Sequence, residues 1–494
     1  MAEFVPVDPF DLVIFGGTGD LAKRKLLPAL YHRDKDAQFT DDSRIVAVSR
    51  SQIDQQQFVS LVREALETHL SEGQLDETVW ARFSSRLHHS QLDIMTAQGW
   101  EDFAHTLDAS GERIRVFYLA TAPNLFTAIA ARLGEFGLKD DRSRIVLEKP
   151  VGTDLATARQ INDGVGAVFA EANVYRIDHY LGKETVQNLA ALRFANSLFE
   201  PLWQRTCVDH IQITVAESLG VGNRAGFYNG TGALRDMVQN HMLQLLCLVA
   251  MEPPISMHHD DLRNEKLRVL RSLRPIDASN VSQVTVRGQY GAGAISGEAV
   301  PGYLQELGAE GESSVTETFV AIKAEVDNWR WSGTPIYLRT GKRLAHKFSE
   351  IVLQFRPVAH SIFPQASGEL EANRLIIRLQ PDEGVTLSLV TKQPGPGGFQ
   401  LRSLPLNLSF SEAYSARYPD AYERLLMEVL RGNPALFMRR DEVEAAWTWV
   451  DAIRDGWKES DTRVSPYVAG TWGPSDASLL LDRDGRSWRE PDAR

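Results

Sequence analysis

The strand-to-helix transition near the N-terminus is the feature that most restricts the fold. The apolar run 12–15 is typical of a buried parallel strand. It leads directly into a glycine-rich turn whose spacing, Gly17-x-Gly19-x-x-Ala22, fits a dinucleotide-binding fingerprint. The first glycine permits the tight turn, the second lets the backbone approach a pyrophosphate, and Ala22 allows close packing of helix on strand. The amides at the start of the following helix are predicted to face the phosphates.

The end of the second predicted strand, residues 44–48, bears on the choice of dinucleotide. A carboxylate at this point would bind the ribose 2′-hydroxyl of NAD and repel a 2′-phosphate. The sequence instead has Ser49, Arg50 and Ser51. Because an arginine pairs well with a phosphate, Arg50 predicts NADP as the preferred cofactor, and use of NAD stays open. The competing interpretation of Arg50 is a surface arginine at a strand end.

In the first part of the chain, apolar runs typical of buried strands alternate with segments typical of helices. Between the second and third of the predicted strands, residues 52–107 are predicted to be helical and exposed. The runs and segments are strands at 115–120, 144–147 and 173–175 and helices at 124–136 and 153–169. This alternation predicts a doubly wound, Rossmann-type parallel sheet. Lys149 follows one of these strands, where it can reach both cofactor and substrate, and Pro150 predicts a cis bond or rigid turn.

After about residue 196 the pattern changes to β-rich stretches without regularly interleaved helices. These lie at 210–215, 284–290, 316–326, 335–338, 351–355 and 375–379. We therefore predict a larger, mainly antiparallel sheet with segregated helices, and a loop at 291–302. The predicted division is a dinucleotide-binding domain at 1–180 and a substrate-binding and oligomerisation domain at 181–494.

Charge and cysteine content narrow the classes of function. The net charge of −12 over 494 residues argues against nucleic-acid or membrane partners, so any anion site must be a local cluster of cations. Cys207 and Cys247 form no CxxC motif, which argues against a disulfide framework or a zinc site. The N-terminus lacks an export signal pattern, and we expect a cytoplasmic protein.

Residues 176–184 concentrate charged and polar side chains in one short segment. His179, Tyr180 and Lys183 are close enough in sequence to converge on one phosphate. Asp178 is an acceptor, suited to orienting a base or a hydroxyl. The alternative for such a composition is a solvated loop with one ion pair.

A helix predicted over 232–251 carries Asp236 and His241. A histidine on an apolar helix face is commonly a core residue. The helix, however, follows a strand ending in Glu217, and an imidazole has the pKa, about 6.5, that suits a general base in the oxidation of a sugar hydroxyl. The cation-rich segment 339–347 is either a solvated face or a second group of cations at the same substrate.

Five motifs together resemble the glucose-6-phosphate dehydrogenase family in order and spacing, over nearly the whole chain. They are GGTGDLAKRKLLP at 16–28, EKPVG at 148–152, RIDHYLGKE at 176–184, DMVQNH at 236–241 and RTGKRL at 339–344. The motif RIDHYLGK is close to diagnostic of that family, whereas EKPxG is shared with other sugar oxidoreductases.

The resemblance implies a role for each matching residue. His241 is similar to the general base that takes the C1 hydroxyl proton, paired with Asp178. The implied substrate residues are the 6-phosphate ligands His179, Tyr180 and Lys183, the sugar or phosphate ligands Glu217, Asp236, Lys342 and Lys347, and Lys25 and Lys149 at the junction with the cofactor. The implied cofactor residues are Gly16, Gly17, Thr18, Gly19, Asp20, Leu21, Arg50 and Lys149.

The implied reaction is oxidation of D-glucose 6-phosphate at C1 to 6-phospho-D-glucono-1,5-lactone, with hydride transfer to NADP and without a metal. The resemblance places this reaction at the first step of the oxidative pentose phosphate pathway. It also implies a homodimer or homotetramer, and some members bind a second, structural NADP. Two alternatives are an aldose dehydrogenase acting on unphosphorylated sugar and a non-catalytic dinucleotide sensor.

Overall fold

The computed structural model describes residues 5–108, 113–308, 314–364, 370–396, 398–410, 417 and 419–491. The chain divides into two compact units. The first consists of residues 1–184, 254–264 and 418–444, and the second of residues 185–253, 265–417 and 445–494. The predicted domain boundary at 180/181 stays a prediction.

The described strands, in chain order, are β1 (Phe10–Phe15), β2 (Arg44–Ser49), β3 (Leu87–Gln91), β4 (Ile114–Leu119), β5 (Arg144–Leu147), β6 (Val174–Ile177), β7 (Val208–Ala216), β8 (Thr285–Gly291), β9 (Gly293–Ile295), β10 (Glu298–Val300), β11 (Phe319–Ala324), β12 (Ile336–Gly341), β13 (Phe348–Phe355), β14 (Arg374–Gln380), β15 (Gly384–Lys392), β16 (Leu401–Ser409), β17 (Phe437–Met438) and β18 (Val464–Val468).

The described α-helices are α1 (Leu27–Lys35), α2 (Gln55–His69), α3 (Glu77–Ser85), α4 (Trp100–Asp108), α5 (Phe126–Glu135), α6 (Leu155–Gly166), α7 (Glu184–Phe194), α8 (Ala225–Asn229), α9 (Leu243–Ala250), α10 (His259–Arg271), α11 (Val281–Val284), α12 (Tyr303–Glu306), α13 (Ala421–Arg431), α14 (Arg440–Glu459) and α15 (Ser475–Asp482). Two π-helical segments, Ala22–Leu26 and Leu234–Met242, lead directly into α1 and α9. None of the helices in the described ranges is long and apolar enough to cross a bilayer.

The first unit contains a seven-stranded sheet in the order β17-β6-β5-β4-β1-β2-β3. All its pairs are parallel except the short edge strand β17, which runs antiparallel to β6. Strands β1 and β4 are buried along their whole length, as expected when helices cover both faces of a parallel sheet. The order 3-2-1-4-5-6 is that of a doubly wound Rossmann sheet, so the predicted fold class of this part is confirmed.

Strand β3 corrects the prediction that residues 52–107 are wholly helical. Its sequence, LHHSQ, begins with one buried apolar residue, and the other four residues are polar. Backbone pairing with β2 forms the strand, at the edge of the sheet, where side-chain burial contributes little. No apolar pattern is therefore present for sequence reasoning to detect.

The second unit contains a nine-stranded sheet in the order β16-β15-β14-β13-β7-β12-β11-β8-β18. Most neighbours are antiparallel, as predicted, but β7 pairs with β12 and β8 with β18 in parallel, so the sheet is mixed. Within the glycine-rich stretch predicted as a loop, β9 and β10 form a short antiparallel hairpin. The parallel β7–β12 pair matters for the site, because both strands end at the same edge of the sheet.

Candidate active site

The turn after β1 is packed too closely for any side chain at its first two positions. Gly16 has φ of +82°, and a Cβ there would lie 2.5 Å from the carbonyl oxygen of Ala120. A Cβ on Gly17 would lie 2.5 Å from the Cβ of Ala47. The amides of both glycines donate to the carbonyl of Val48, at 2.8 and 3.2 Å, which fixes the turn against the end of β2.

The remaining predicted cofactor residues of this turn are more exposed. Gly19 and Asp20 are exposed, and Thr18 and Leu21 are half-buried. The side chain of Asp20 accepts a hydrogen bond from Arg24 at 3.4 Å on the surface. A tight turn with accessible backbone between a buried strand and a helix start fits the diphosphate of a dinucleotide.

Arg50 follows β2 and is exposed. It makes no ion pair with any residue in the described part of the chain. Its neighbour Ser49 is held by a hydrogen bond of 3.0 Å to the Nε2 of His89 on β3, and the amide of Ser51 donates to the Ser49 hydroxyl at 3.3 Å. The guanidinium at this strand end therefore fits the 2′-phosphate of NADP.

Lys149 stands directly after β5, and the peptide bond to Pro150 is cis, as predicted. The preceding residue, Glu148, is buried and accepts hydrogen bonds from the hydroxyl of Tyr118 and from the amide of Lys149, the latter at 3.2 Å. Burial raises the pKa of Glu148, while Tyr118, Lys149 and Tyr422 act in the opposite direction. Glu148 thus anchors the backbone that carries Lys149.

Residues 178–183 form consecutive turns that begin where β6 ends. Asp178 is fully buried, and its Oδ1 accepts from the amide of Tyr180 at 2.9 Å. The amides of Leu181 and Lys183 donate to the carbonyls three positions earlier, at 3.1 Å each. The ammonium of Lys183 lies 4.0 Å from the centroid of the Tyr180 ring, so the two predicted phosphate ligands are in contact.

Helix α13, distant in sequence, completes the surroundings of this segment within the first unit. The ring of Tyr422 stacks on that of His179 with centroids 6.2 Å apart and an interplanar angle of 13°. Gly182 packs against the start of the helix, since a Cβ there would lie 2.7 Å from the carbonyl oxygen of Ala421. Asp420, the N-cap of the helix, pairs with Lys25 at 3.0 Å. Sequence reasoning missed Asp420 and Tyr422, and no short motif signals such a long-range contact.

The second unit gathers three of the predicted sugar ligands at the ends of β7 and β12. The parallel register pairs Ala216 with Gly341, so Glu217 and Lys342 are the next residues on adjacent strands. The Lys342 ammonium lies 2.6 Å from a carboxylate oxygen of Glu217 and 3.6 Å from one of Asp236. We call Glu217, Asp236 and Lys342 the acid–lysine cluster.

Asp236 and His241 lie on the π-helical segment 234–242, not on the regular α-helix that the apolar spacing predicts. A π-helix closes hydrogen bonds between residues five apart, so these two side chains are separated by about one turn. His241 is buried. Glu317 fixes the start of the segment, because its carboxylate accepts from the amide of Leu234 at 3.1 Å and its carbonyl from that of Ala233 at 2.9 Å. Asp178 belongs to the first unit and His241 to the second, and their pairing stays a prediction.

The cation-rich segment 339–347 separates into groups with different surroundings. Arg339 is buried, with its guanidinium 5.1 and 4.4 Å from the ring centroids of Trp472 and Trp488. Arg343 pairs with Glu306 at 2.6 Å. Lys347, the residue before β13, is exposed. The segment is therefore neither a uniformly solvated face nor a single group of substrate-facing cations.

Comparison with known proteins identifies matching families and relatives. The model of the glucose-6-phosphate dehydrogenase NAD binding domain matches residues 13–188, and that of the glucose-6-phosphate dehydrogenase C-terminal domain matches residues 190–489. The glucose-6-phosphate 1-dehydrogenase of Rhizobium meliloti is 56% identical over 489 residues, covering 99% of both chains. That of Mycolicibacterium smegmatis is 53% identical over 98% of both chains.

Solved structures agree with this result. Glucose-6-phosphate 1-dehydrogenase from Mycobacterium avium superposes with a TM-score of 0.86 at 35% identity, covering 99% of this chain and 100% of that one. A glucose-6-phosphate dehydrogenase in complex with its substrate glucose 6-phosphate gives a TM-score of 0.89 at 31% identity, with the same coverage. The chain belongs to the glucose-6-phosphate dehydrogenase family.

Proposed function

We propose that the residues described above carry out the reaction of this family, in which D-glucose 6-phosphate is oxidised at C1 and a hydride passes to NADP. The observation that carries the proposal is the turn segment 178–183, which brings a buried carboxylate, an imidazole, a phenol and an ammonium into one compact structure. A chain that did not bind a phosphorylated substrate would have little use for this combination.

The proposed chemistry begins with the hydroxyl at C1 of the sugar. His241 accepts the hydroxyl proton as the C1–O bond becomes a carbonyl, and Asp178 orients the imidazole and stabilises its protonated form. NADP, when bound, accepts the hydride that leaves C1. The product is 6-phospho-D-glucono-1,5-lactone, and the proton leaves His241 for solvent.

The proposed ligands of the phosphate and of the ring hydroxyls are two sets of residues that differ in charge. His179, Tyr180 and Lys183 bind the 6-phosphate, because a cation and neutral donors match a dianion. The acid–lysine cluster holds the ring hydroxyls, since carboxylates accept from hydroxyls and an ammonium donates to them. Lys347 adds a cation at the phosphate, and Lys25 and Lys149 contact the sugar near the cofactor.

The proposed cofactor site is the turn 16–21 together with Arg50 and Lys149. Crowding at Gly16 and Gly17 leaves only bare backbone at the turn. Arg50, exposed and unpaired among the described residues, binds the 2′-phosphate and sets the preference for NADP. Residues 1–180 are proposed as the cofactor domain, and residues 181–494 as the substrate and oligomerisation domain.

A homo-oligomer is proposed through the outer edge of the second sheet. Leu404, Leu406 and Leu408 alternate along β16, so they share one face of the strand, and they are 52%, 63% and 53% exposed. Leu389 of β15 pairs with Leu404 and is also exposed, so the apolar face extends to the neighbouring strand. An edge strand with exposed leucines is suited to association with a second copy.

A cytoplasmic location of the protein stays a prediction.

Replacing His241 by Asn should lower kcat by about 10²–10⁴-fold with little change in the KM for glucose 6-phosphate, because the amide cannot accept the proton. Steady-state rates of NADPH formation measure both parameters. His69→Asn, at an exposed histidine of α2, is the matched control and should have the rate of the parent. Unchanged turnover of the His241 variant would contradict the assignment of the base.

Lys183→Ala should raise the KM for glucose 6-phosphate about 10–100-fold, the effect of losing a charge-assisted hydrogen bond, while the KM for NADP changes little. Lys35→Ala removes an exposed lysine of the same unit and serves as the control.

If unphosphorylated glucose is oxidised as efficiently as glucose 6-phosphate by the parent protein, the aldose dehydrogenase alternative is favoured. Tight NADP binding without any turnover would favour the sensor.

Arg50→Ala should lower the ratio of kcat/KM for NADP to that for NAD about 10–100-fold, since only NADP has the 2′-phosphate. The comparison requires both cofactors at saturating glucose 6-phosphate. Arg142→Ala, an exposed arginine preceding β5, should leave the ratio unchanged. An equal loss for NADP and NAD in the Arg50 variant would place the guanidinium away from the 2′-phosphate.

Leu406→Glu should dissociate the oligomer, because it introduces a charge into an apolar face that is covered on association. Light scattering coupled to gel filtration measures the mass against the 55.2 kDa of a single chain. Ile255→Glu, at a 93% exposed isoleucine of the first unit, is the control and should retain the parent mass. A parent protein that elutes as a monomer would exclude this interface.

A further inference from the structure

Tyr228, on the short helix α8, lies beside the acid–lysine cluster but matches none of the motifs noted in the sequence. Its side chain is almost completely buried, at 5% exposure. The ammonium of Lys342 lies 5.0 Å from the centroid of its ring, so ring and ammonium are in cation–π contact. Tyr228 therefore packs directly against the lysine that pairs with Glu217 and Asp236.

The hydroxyl of Tyr228 makes no hydrogen bond to any residue that the structure describes. Buried hydroxyls are nearly always paired, because an unpaired one loses its hydrogen bonds to water without replacement. Two nearby tyrosines follow this rule. The hydroxyl of Tyr303 donates to Asn229 at 3.0 Å, and that of Tyr290 donates to Glu306 at 2.7 Å.

The electrostatic surroundings keep the Tyr228 hydroxyl protonated. Burial raises its pKa well above the usual value, and the charges of Asp236, Glu317 and Glu217 raise it further. The group is therefore a hydrogen-bond donor at neutral pH. Because the Tyr228 ring contacts the ammonium of Lys342, a ligand held by the acid–lysine cluster lies close to Tyr228.

We propose that Tyr228 is a specificity-determining residue whose hydroxyl donates a hydrogen bond to a ring hydroxyl of the bound sugar. The inference rests on the proposed placement of the sugar at the acid–lysine cluster and adds a neutral donor to it. A sugar oxygen at this position satisfies the buried phenol, whereas a substrate lacking that oxygen leaves it unpaired. Such a site discriminates strongly against a deoxy sugar.

The test is Tyr228→Phe, which removes one oxygen and retains the ring beneath Lys342. We expect kcat/KM for glucose 6-phosphate to fall about tenfold, as for the loss of one neutral hydrogen bond, with an unchanged KM for NADP. The thermal midpoint should not decrease, because the hydroxyl has no described partner within the chain to lose. Tyr303→Phe is the matched control: it removes a hydroxyl bonded inside the protein, and it should leave kcat/KM unchanged.

The 2-deoxy, 3-deoxy and 4-deoxy analogues of glucose 6-phosphate identify the hydroxyl concerned. The parent protein should discriminate against all three, whereas Tyr228→Phe should lose most of its discrimination against one of them. If the variant discriminates against all three as the parent does, or retains the parent kcat/KM, the inference is wrong.

Lys342→Ala separates this inference from the proposal on which it rests. If Lys342→Ala raises the KM for glucose 6-phosphate and Tyr228→Phe has no effect, only the role of Tyr228 is overturned. If Lys342→Ala leaves that KM unchanged, the placement of the sugar at the cluster fails, and the proposed ligand of Tyr228 fails with it.

Discussion

Parallel strand pairing is the constraint on which the arrangement of functional side chains depends. Parallel neighbours end at the same edge of a sheet, so residues that follow different strands are brought together whatever their separation in sequence. In the first unit Gly16, Arg50, Lys149 and Asp178 follow β1, β2, β5 and β6. In the second unit Glu217 and Lys342, 125 positions apart, follow the parallel pair β7 and β12. Among the described strands of the second sheet only β7–β12 and β8–β18 are parallel pairs, and the first of these leads into the acid–lysine cluster.

The proposed phosphate ligands and the proposed sugar ligands lie in different units and differ in charge. The segment 178–183 supplies an imidazole and an ammonium, which suit a phosphate in a protein whose net charge is −12. The acid–lysine cluster supplies two carboxylates and one ammonium, which suit hydroxyl groups. A free phosphate matches only the first set and a free sugar only the second. A molecule that carries both a phosphate and hydroxyl groups matches the chemistry of both proposed sets.

Local patterns in the sequence predict the parts of the fold whose burial is uniform. The strands of the parallel sheet were predictable because burial on both faces requires continuous apolar runs, as in β1 and β4. Strand β3 was not, because its polar sequence forms a strand through backbone pairing. The π-helical segment 234–242 has the apolar spacing of an ordinary helix, and only its backbone hydrogen bonds reveal the difference.

Some residues of the candidate site can likewise be predicted from the sequence, and others cannot. Motif resemblance predicts residues that lie in short family-like motifs, such as Lys183 and Lys342. It does not reach residues that act through long-range packing, such as Tyr422 on His179, or Tyr228 beneath Lys342. These contacts follow from the tertiary structure and have no local pattern that precedes them.

The first unit is discontinuous, since residues 418–444 belong to it together with residues 1–184. During synthesis the ribosome must therefore make most of the chain before β17 can pair with β6 and before α13 can pack against the N-terminal part of the unit. Domains usually fold as units in the order in which they emerge. Here the N-terminal strands must remain without the helix that packs on Gly182 and the ring that stacks on His179 until the C-terminal part has been translated. Maturation of the turn segment 178–183 is thus tied to completion of the polypeptide, and a chain truncated before α13 lacks both contacts.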